Sequence, residues 1–304
     1  MTTPAQLDLL NQRFGIDHVA HVAAGHGGLP VLSITTPAAS AQISLHGAQV
    51  LSWQPGTSGE VLFLSQHSRW EDGKAIRGGI PVCFPWFRAK TDDPKAPAHG
   101  FARTRSWTLA ALEQTGEGVQ ATLTLESDES SRQWWPHAFA LTYRITIGAA
   151  LHLALTVTNT DNAAWQFEEA LHTYNKVSDV RTVRVQALDG AAFLDNMDGN
   201  KIKQQSGELQ LQRSADNAYL DTHAAPEIVD PAAARRILLE KQNSATTIVW
   251  NPWSDGAAAL ADLGDEEWSQ FLCVEAGNIL SDKVTVQPGA EHTLQARLSV
   301  TPTS

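Results

Sequence analysis

The sequence is poor in several residue types, and each scarcity removes a class of explanation. Two cysteines in 304 residues, Cys83 and Cys273, cannot make a disulfide framework. Cations are outnumbered, 22 Lys and Arg against 33 Asp and Glu, giving a formal net charge of −11. A chain of that sign has no general attraction for nucleic acid or an anionic membrane. No apolar run approaches the roughly 18 residues of a transmembrane helix. The opening MTTPAQLDLLNQRFG lacks the basic start and apolar centre of an export signal. These absences predict a cytoplasmic chain with reduced thiols and neither a nucleic-acid nor a membrane partner. Helical periodicity is also scarce. What is present is apolar content of 42% with 18% charge, enough for a sizeable core and too apolar for a disordered chain. Ten tryptophans stand against three tyrosines. Indoles stack on sugar rings and also fill large cores, and composition leaves both readings open.

The opening segment reads as a short helix, about residues 5–15, with Leu7, Leu10 and Phe14 on one face and Gly15 ending it. Beyond it the pattern is β. Val119, Ala121, Leu123 and Leu125 alternate with polar residues, as do Leu141, Tyr143, Ile145 and Ile147, and then Leu151, Leu153, Leu155 and Val157. Gly148-Ala149-Ala150 between the last two runs predicts a hairpin. Further strands are expected at Val31–Thr35, Gln49–Trp53, Val61–Ser65, Trp107–Leu112, Arg181–Leu188, Arg236–Leu239, Thr246–Trp250, Phe271–Val274 and His292–Val300, with one or two helical turns at Asp128–Trp135. Many short strands without a repeat or linker predict one all-β antiparallel sandwich domain spanning residues 1–304.

Chemistry is expected where the alternation breaks. In Gly73-Lys-Ala-Ile-Arg-Gly-Gly-Ile-Pro-Val-Cys-Phe-Pro-Trp-Phe87, Arg77 precedes Gly78 and Gly79. The segment reads either as a glycine turn with a solvated arginine or as a backbone that approaches an anion held by Arg77. In Pro97-Ala-His-Gly-Phe-Ala-Arg-Thr-Arg-Ser-Trp107, the cluster of His99, Arg103 and Arg105 is either an anion site or a pair of surface arginines. His172, in Phe167-Glu-Glu-Ala-Leu-His-Thr-Tyr174, is a core histidine or a proton donor. Glu275 ends an apolar strand and is either exposed there or held in a cleft, and if buried it needs a partner or a job. His18, His21 and His26 gather near the start, but a metal there would need a fixed geometry. No metal or cofactor is expected.

Five ordered motifs are similar to those of the glucose-6-phosphate 1-epimerases (hexose-6-phosphate mutarotases) of the aldose 1-epimerase superfamily. They are GKAIRGGIPVCFPWF (73–87), HGFARTRSW (99–107), LHTY (171–174), VWNPW (249–253) and CVEAGN (273–278), within a likeness covering about residues 30–300. The resemblance implies a galactose-mutarotase-like β-supersandwich that interconverts the α and β anomers of hexose 6-phosphates, chiefly glucose 6-phosphate. It implies that His172 and Glu275 are catalytic, that Arg77 and Arg103 hold the phosphate, and that His99 and Asp216 contact the sugar. Three residues depart from the family pattern: Arg88 where Gly is frequent, Ala98 where Gln is frequent, and Asn175 where Phe is frequent.

The implied reaction has an ionised Glu275 taking the proton of the C1 hydroxyl while a protonated His172 donates to the ring oxygen. Each charge would then support the other, giving a bell-shaped pH profile. The expected partner is a small phosphosugar bound by a monomer. Two other functions fit the same motifs: a 1-epimerase of unphosphorylated aldoses, and a non-catalytic carbohydrate-binding protein.

Overall fold

Alternation along the chain becomes antiparallel sheet in the computed structural model, which describes residues 2–303. The predicted inward residues Val119, Ala121 and Leu123, Leu141 to Ile147 and Leu151 to Val157 are buried at every second position. They lie on the neighbouring strands Gly118–Glu126, Phe139–Ile147 and Leu151–Asn159, and Ile147 pairs with Leu151 across the three-residue turn. Thr108–Thr115 adds one edge of this eight-stranded sheet, and Glu291–Pro302, Arg235–Gln242, Glu227–Asp230 and Arg184–Gln186 continue it on the other side. Burying each large aliphatic side chain contributes about 1.5–3 kcal/mol. A one-residue slip would turn that whole face to water, so the pattern sets register as well as strand identity.

A second eight-stranded sheet carries the chemistry-bearing motifs. Its order is Lys201–Gln204, Ala192–Asp195, Ala215–Tyr219, Thr246–Asn251, Phe271–Asn278, Glu169–Leu171 and Val82–Cys83, with Tyr174–Lys176 also paired to Phe271–Asn278. The Phe271–Asn278 strand is buried at every residue, which is why it lacks alternation in the sequence. A four-stranded meander formed by Ala20–Ala24, Pro30–Thr35, Ala39–Ser44 and Gln49–Pro55 packs into the same core. Trp53 joins the meander to the first sheet, its indole N–H donating to Gly148 O at 3.2 Å.

The expected helical segments form, while two expected strands do not run as predicted. The first helix is Pro4–Phe14, opened by a capping box between Thr3 and Gln6, with Leu7, Leu10 and Phe14 against the core. Asp128–Trp135 forms only the turn Glu129–Arg132, capped by Asp128. Val61–Ser65 is not a continuous ladder, because Leu62 bridges to Asn175 while Leu64 bridges to Gly78. Arg181–Leu188 contracts to Arg184–Gln186, with Arg181 folded onto Asp179 at 2.6 Å. Among the described residues no helix is long and apolar enough to cross a membrane.

Candidate active site

Two antiparallel strands bring together a histidine and a glutamate that are far apart in sequence. Leu171 pairs with Ala276, so the residues on either side of that pair, His172 and Glu275, meet on one face. His172 Nδ1 lies 3.3 Å from Glu275 Oε1, with the side chains 6% and 0% exposed. The approach is not aligned as a hydrogen bond. Nδ1 and both Glu275 oxygens are buried without a hydrogen-bond partner among the described residues. Glu275 does not end its strand as expected. It sits in the interior of Phe271–Asn278, opposite Ile248, because pairing continues on both sides of it. His172 stacks on Tyr174 at 4.8 Å and meets the edge of Trp250 at 5.8 Å, while its backbone N–H donates to Pro81 O at 3.0 Å.

His99 comes from the loop beneath, its ring 5.5 Å from that of His172. Arg88 N–H donates to His99 Nδ1 at 3.3 Å, and His99 N–H donates to Arg88 O at 2.7 Å. Because Nδ1 accepts, the neutral ring carries its proton on Nε2. Both residues have left-handed backbone, with φ of 61° at Arg88 and 64° at His99. Strain of this kind concentrates at functional sites.

Arg77 is already engaged. Its Nη1 donates to the Tyr174 hydroxyl at 2.9 Å, and its Nη2 donates to Asp262 at 3.1 Å. Gly78 and Gly79 both pass close to protein backbone. They let two segments of the protein cross: a Cβ at Gly78 would lie 2.4 Å from Phe63 O, and one at Gly79 would lie 2.1 Å from Val50 O. Arg103 donates from Nη2 to the carbonyl of Ala98 at 2.9 Å, so the backbone at this departure supplies an acceptor that needs no side chain. Arg103 Nε is buried and unpartnered among the described residues. Asp216 lies on Ala215–Tyr219, with Oδ1 2.6 Å from Arg88 Nη2 and Oδ2 accepting from Asn196 Nδ2 at 2.6 Å.

Burial and these charges set the protonation of the centre. Burial pushes the Glu275 carboxyl well above its ordinary range; Asp216 adds to that, and Arg88 and Arg103 offset part of it. Burial holds His172 well below an ordinary imidazole, and Arg103 and Arg77 push it further down. His99 is held down by burial and then by Arg103 and His172. Burial also lowers Arg103. For Arg77 burial acts downward, yet Tyr174 and Asp262 together outweigh it and raise the guanidinium. The unliganded centre therefore favours a protonated Glu275 beside a neutral His172. This differs from the expected pair of imidazolium and carboxylate, because burial, the largest influence on both groups, disfavours the charged form of each.

The six residues that the resemblance marks, His172, Glu275, Arg77, Arg103, His99 and Asp216, are linked here through these contacts, whereas Arg105 of the expected basic cluster is held instead by Asp128 at 3.3 Å. Tyr174 and Trp250 lay within the quoted motifs without an assigned role as partners of His172. Asp262 and Asn196 carried no spacing signal and were missed. Of the tryptophans, Trp250 borders the centre. Trp86 donates to Pro97 O at 2.9 Å and Trp253 lies against Trp268 at 4.7 Å, so both of these pack. Cys83 and Cys273 are buried free thiols, both raised by burial. His172, Cys273 and Glu275 hold atoms of metal-ligand type within 4.8 Å of one another. The early histidines lie elsewhere, His26 against Trp70 and His18 beside Asp17. At the third departure, Asn175 is buried and donates to Leu272 O at 3.2 Å.

The family model described as aldose 1-epimerase matches residues 30–299. The chain belongs to that family. Within this aldose 1-epimerase family, a Cenchrus ciliaris relative is 34% identical over 274 residues, covering 87% of this chain and 82% of its own. An Escherichia coli relative is 31% identical over 269 residues, covering 88% and 90%. Both carry the provisional name glucose-6-phosphate 1-epimerase. The crystal structure of a provisionally assigned mutarotase from Salmonella typhimurium superposes with a TM-score of 0.89 at 28% identity, covering 97% of this chain and 99% of that one. A galactose mutarotase-like protein from Clostridium acetobutylicum, at 15% identity and a TM-score of 0.75, shares the fold over 93% of this chain and 98% of its own. The architecture is the galactose-mutarotase-like β-sandwich.

Proposed function

We propose that the protein interconverts the α and β anomers of hexose 6-phosphates, chiefly glucose 6-phosphate, with His172 and Glu275 as the proton-transfer pair. The observation that carries this reading is their 3.3 Å approach in a buried centre whose charge is shaped by Arg77 and Arg103. Those arginines, together with the names of the relatives, favour a phosphosugar over a free aldose. The chain acts as a single domain and a monomer on a small molecule in the cytoplasm.

In ring opening, Glu275 accepts the C1 hydroxyl proton and His172 gives a proton to the ring oxygen from Nε2, since Nδ1 faces Glu275. The C1–O5 bond breaks and C1 becomes an aldehyde. Rotation about C1–C2 presents the other carbonyl face, and closure returns both protons. The steps balance without a cofactor. Opening leaves Glu275 protonated and His172 neutral, the state that burial favours in the free site. The centre is therefore matched electrostatically to the open-chain intermediate. A cyclic substrate needs the proton on His172 instead. A phosphate held by Arg77 and Arg103 offsets the charges that hold His172 down, which favours the imidazolium. His99 Nε2–H and the Asp216 carboxylate are a donor and an acceptor for sugar hydroxyls.

NMR exchange between the α and β anomers of glucose 6-phosphate tests the reading, with glucose and a His172→Ala variant as controls. Acceleration specific to the phosphosugar and lost in the variant is the expected result. No acceleration by folded protein would remove glucose 6-phosphate as the substrate.

A further inference from the structure

Arg88 is paired with Asp216, as Arg77 is with Asp262. The Arg88 backbone is fixed from two directions: its left-handed φ of 61° turns the chain, and the reciprocal bonds with His99 hold it there. The Arg88 side chain reaches 128 positions along the sequence to place Nη2 2.6 Å from Asp216 Oδ1, with the two side chains 22% and 16% exposed. Asn196 occupies the other Asp216 oxygen at 2.6 Å. Both carboxylate oxygens are thus oriented, and each keeps a lone pair for a further donor.

The neighbours of Glu275 explain why this matters. The charged and titratable groups facing it are Asp216 from Ala215–Tyr219, Arg88 and Arg103 from the loops, His172 beyond Glu169–Leu171, Cys83 from Val82–Cys83, and Cys273 on its own strand. The adjoining strand Thr246–Asn251 offers Ile248 and no charge. Asp216 opposes a negative Glu275, and Arg88 is the cation bonded to it. Two carboxylates in one buried site do not ionise together without compensation.

We propose that Arg88 is a positioning residue that makes Asp216 usable beside Glu275: its guanidinium neutralises the Asp216 carboxylate, so that a hydroxyl-binding acid and a proton-accepting acid coexist in one buried centre. The proposal rests on the reading of Glu275 as the proton acceptor. It also gives a physical role to the arginine that replaces a frequent glycine at this turn.

The test is a 13C titration of the Glu275 carboxyl in the free full-length protein, assigned with E275Q. In R88Q the midpoint rises by about one unit or more, the effect of removing a close opposite charge. In the R88Q/D216N double variant it falls back to the parent value or below. R88K keeps the charge and stays close to the parent. Anomerase kcat/KM at neutral pH falls about tenfold in R88Q for each unit of midpoint shift. The D216N change is not expected to restore turnover, because it weakens the sugar acceptor. An unmoved midpoint in R88Q overturns the proposal, as does a midpoint equally raised in R88Q and the double variant. Should R88Q not fold, D216N alone must lower the midpoint, and a constant value there is equally fatal. Because the titration needs no substrate, a protein inactive on every sugar would sink the catalytic reading while the electrostatic result stood separately.

Discussion

His172 Nδ1 lies 3.3 Å from Glu275 Oε1, and the strand pairing of Leu171 with Ala276 is what holds them there. Among the described residues, His172 Nδ1 and both Glu275 oxygens make no hydrogen bond that would tie them to a structural role. A histidine and a glutamate kept this close, buried and unsatisfied are costly to the fold, of order 1–3 kcal/mol for each unmade bond.

His172→Asn and Glu275→Gln each keep a polar side chain while removing its proton transfer, the second without any change of size. Each is expected to lower kcat for glucose 6-phosphate by about 10²–10⁴-fold, with KM nearly unchanged. Anomer exchange measured at saturating substrate checks this. A kcat within twofold of wild type in either variant would remove that residue from the proton-transfer pair.

The pH profile of kcat/KM should be bell-shaped, with limbs assigned opposite to intuition. The productive centre holds a single proton shared by the pair. Going down in pH, a second proton must enter His172, which burial and the arginines hold below its ordinary value; the acid limb is therefore displaced to low pH. Going up, the last proton leaves Glu275, whose carboxyl burial holds above its ordinary range; the alkaline limb is therefore that of a glutamate. The limbs belong to the coupled pair as macroscopic values. A profile whose alkaline limb is unchanged in Glu275→Gln, in a variant with measurable residual activity, would contradict the assignment.

Arg103→Ala separates phosphate recognition from catalysis. Loss of a charged hydrogen bond costs about 1.5–3 kcal/mol, roughly a ten- to hundredfold loss in kcat/KM for the phosphosugar. Arg103 also depresses His172, so its removal raises the imidazole and moves the acid limb upward. Unphosphorylated glucose, which has nothing to offer Arg103, should lose no efficiency. Equal losses on the two sugars would mean that Arg103 supports the loop through Ala98 and does not read phosphate.

How far these features could be read in advance depended on whether the information was local. The strands around Tyr143 and Leu153 were legible because one buried face repeats every second residue. Val61–Ser65 misled because its residues are strand-like but take partners from two different segments. His172 and Glu275 could be named from their motifs, yet their meeting depends on a three-residue strand, Glu169–Leu171, too short to leave a periodic signal. Asp262 follows a six-residue helix and reaches Arg77 from 185 positions away, so nothing local marks it. The protonation of the unliganded pair is illegible for a related reason: charge attraction can be reasoned from residue types, whereas burial belongs to the assembled sheet.

A second histidine–glutamate pair makes stability depend on pH. His292 Nε2 lies 3.0 Å from Glu169 Oε1, which also accepts from Asn278 Nδ2 at 3.0 Å, and Glu169 is fully buried. Burial raises the Glu169 carboxyl despite His292 and Asn278. Burial acts to lower His292, but its hydrogen bond and attraction to Glu169 raise it overall. A raised histidine contributes stability that is complete below its unfolded value of about 6.5 and is lost as pH rises through the folded value. A raised carboxyl costs stability once the unfolded chain has ionised, and that cost is recovered on acidification. The two effects have the same sign, so this cluster stabilises the fold more at about pH 6 than at about pH 8.5. His292→Gln should lower stability by about 1–3 kcal/mol at the lower pH and by less at the higher one. Urea unfolding of both proteins at the two pH values measures it. A His292→Gln penalty that is the same at both values, or larger at the higher one, would show that the pair is not ionised as a unit in the native state.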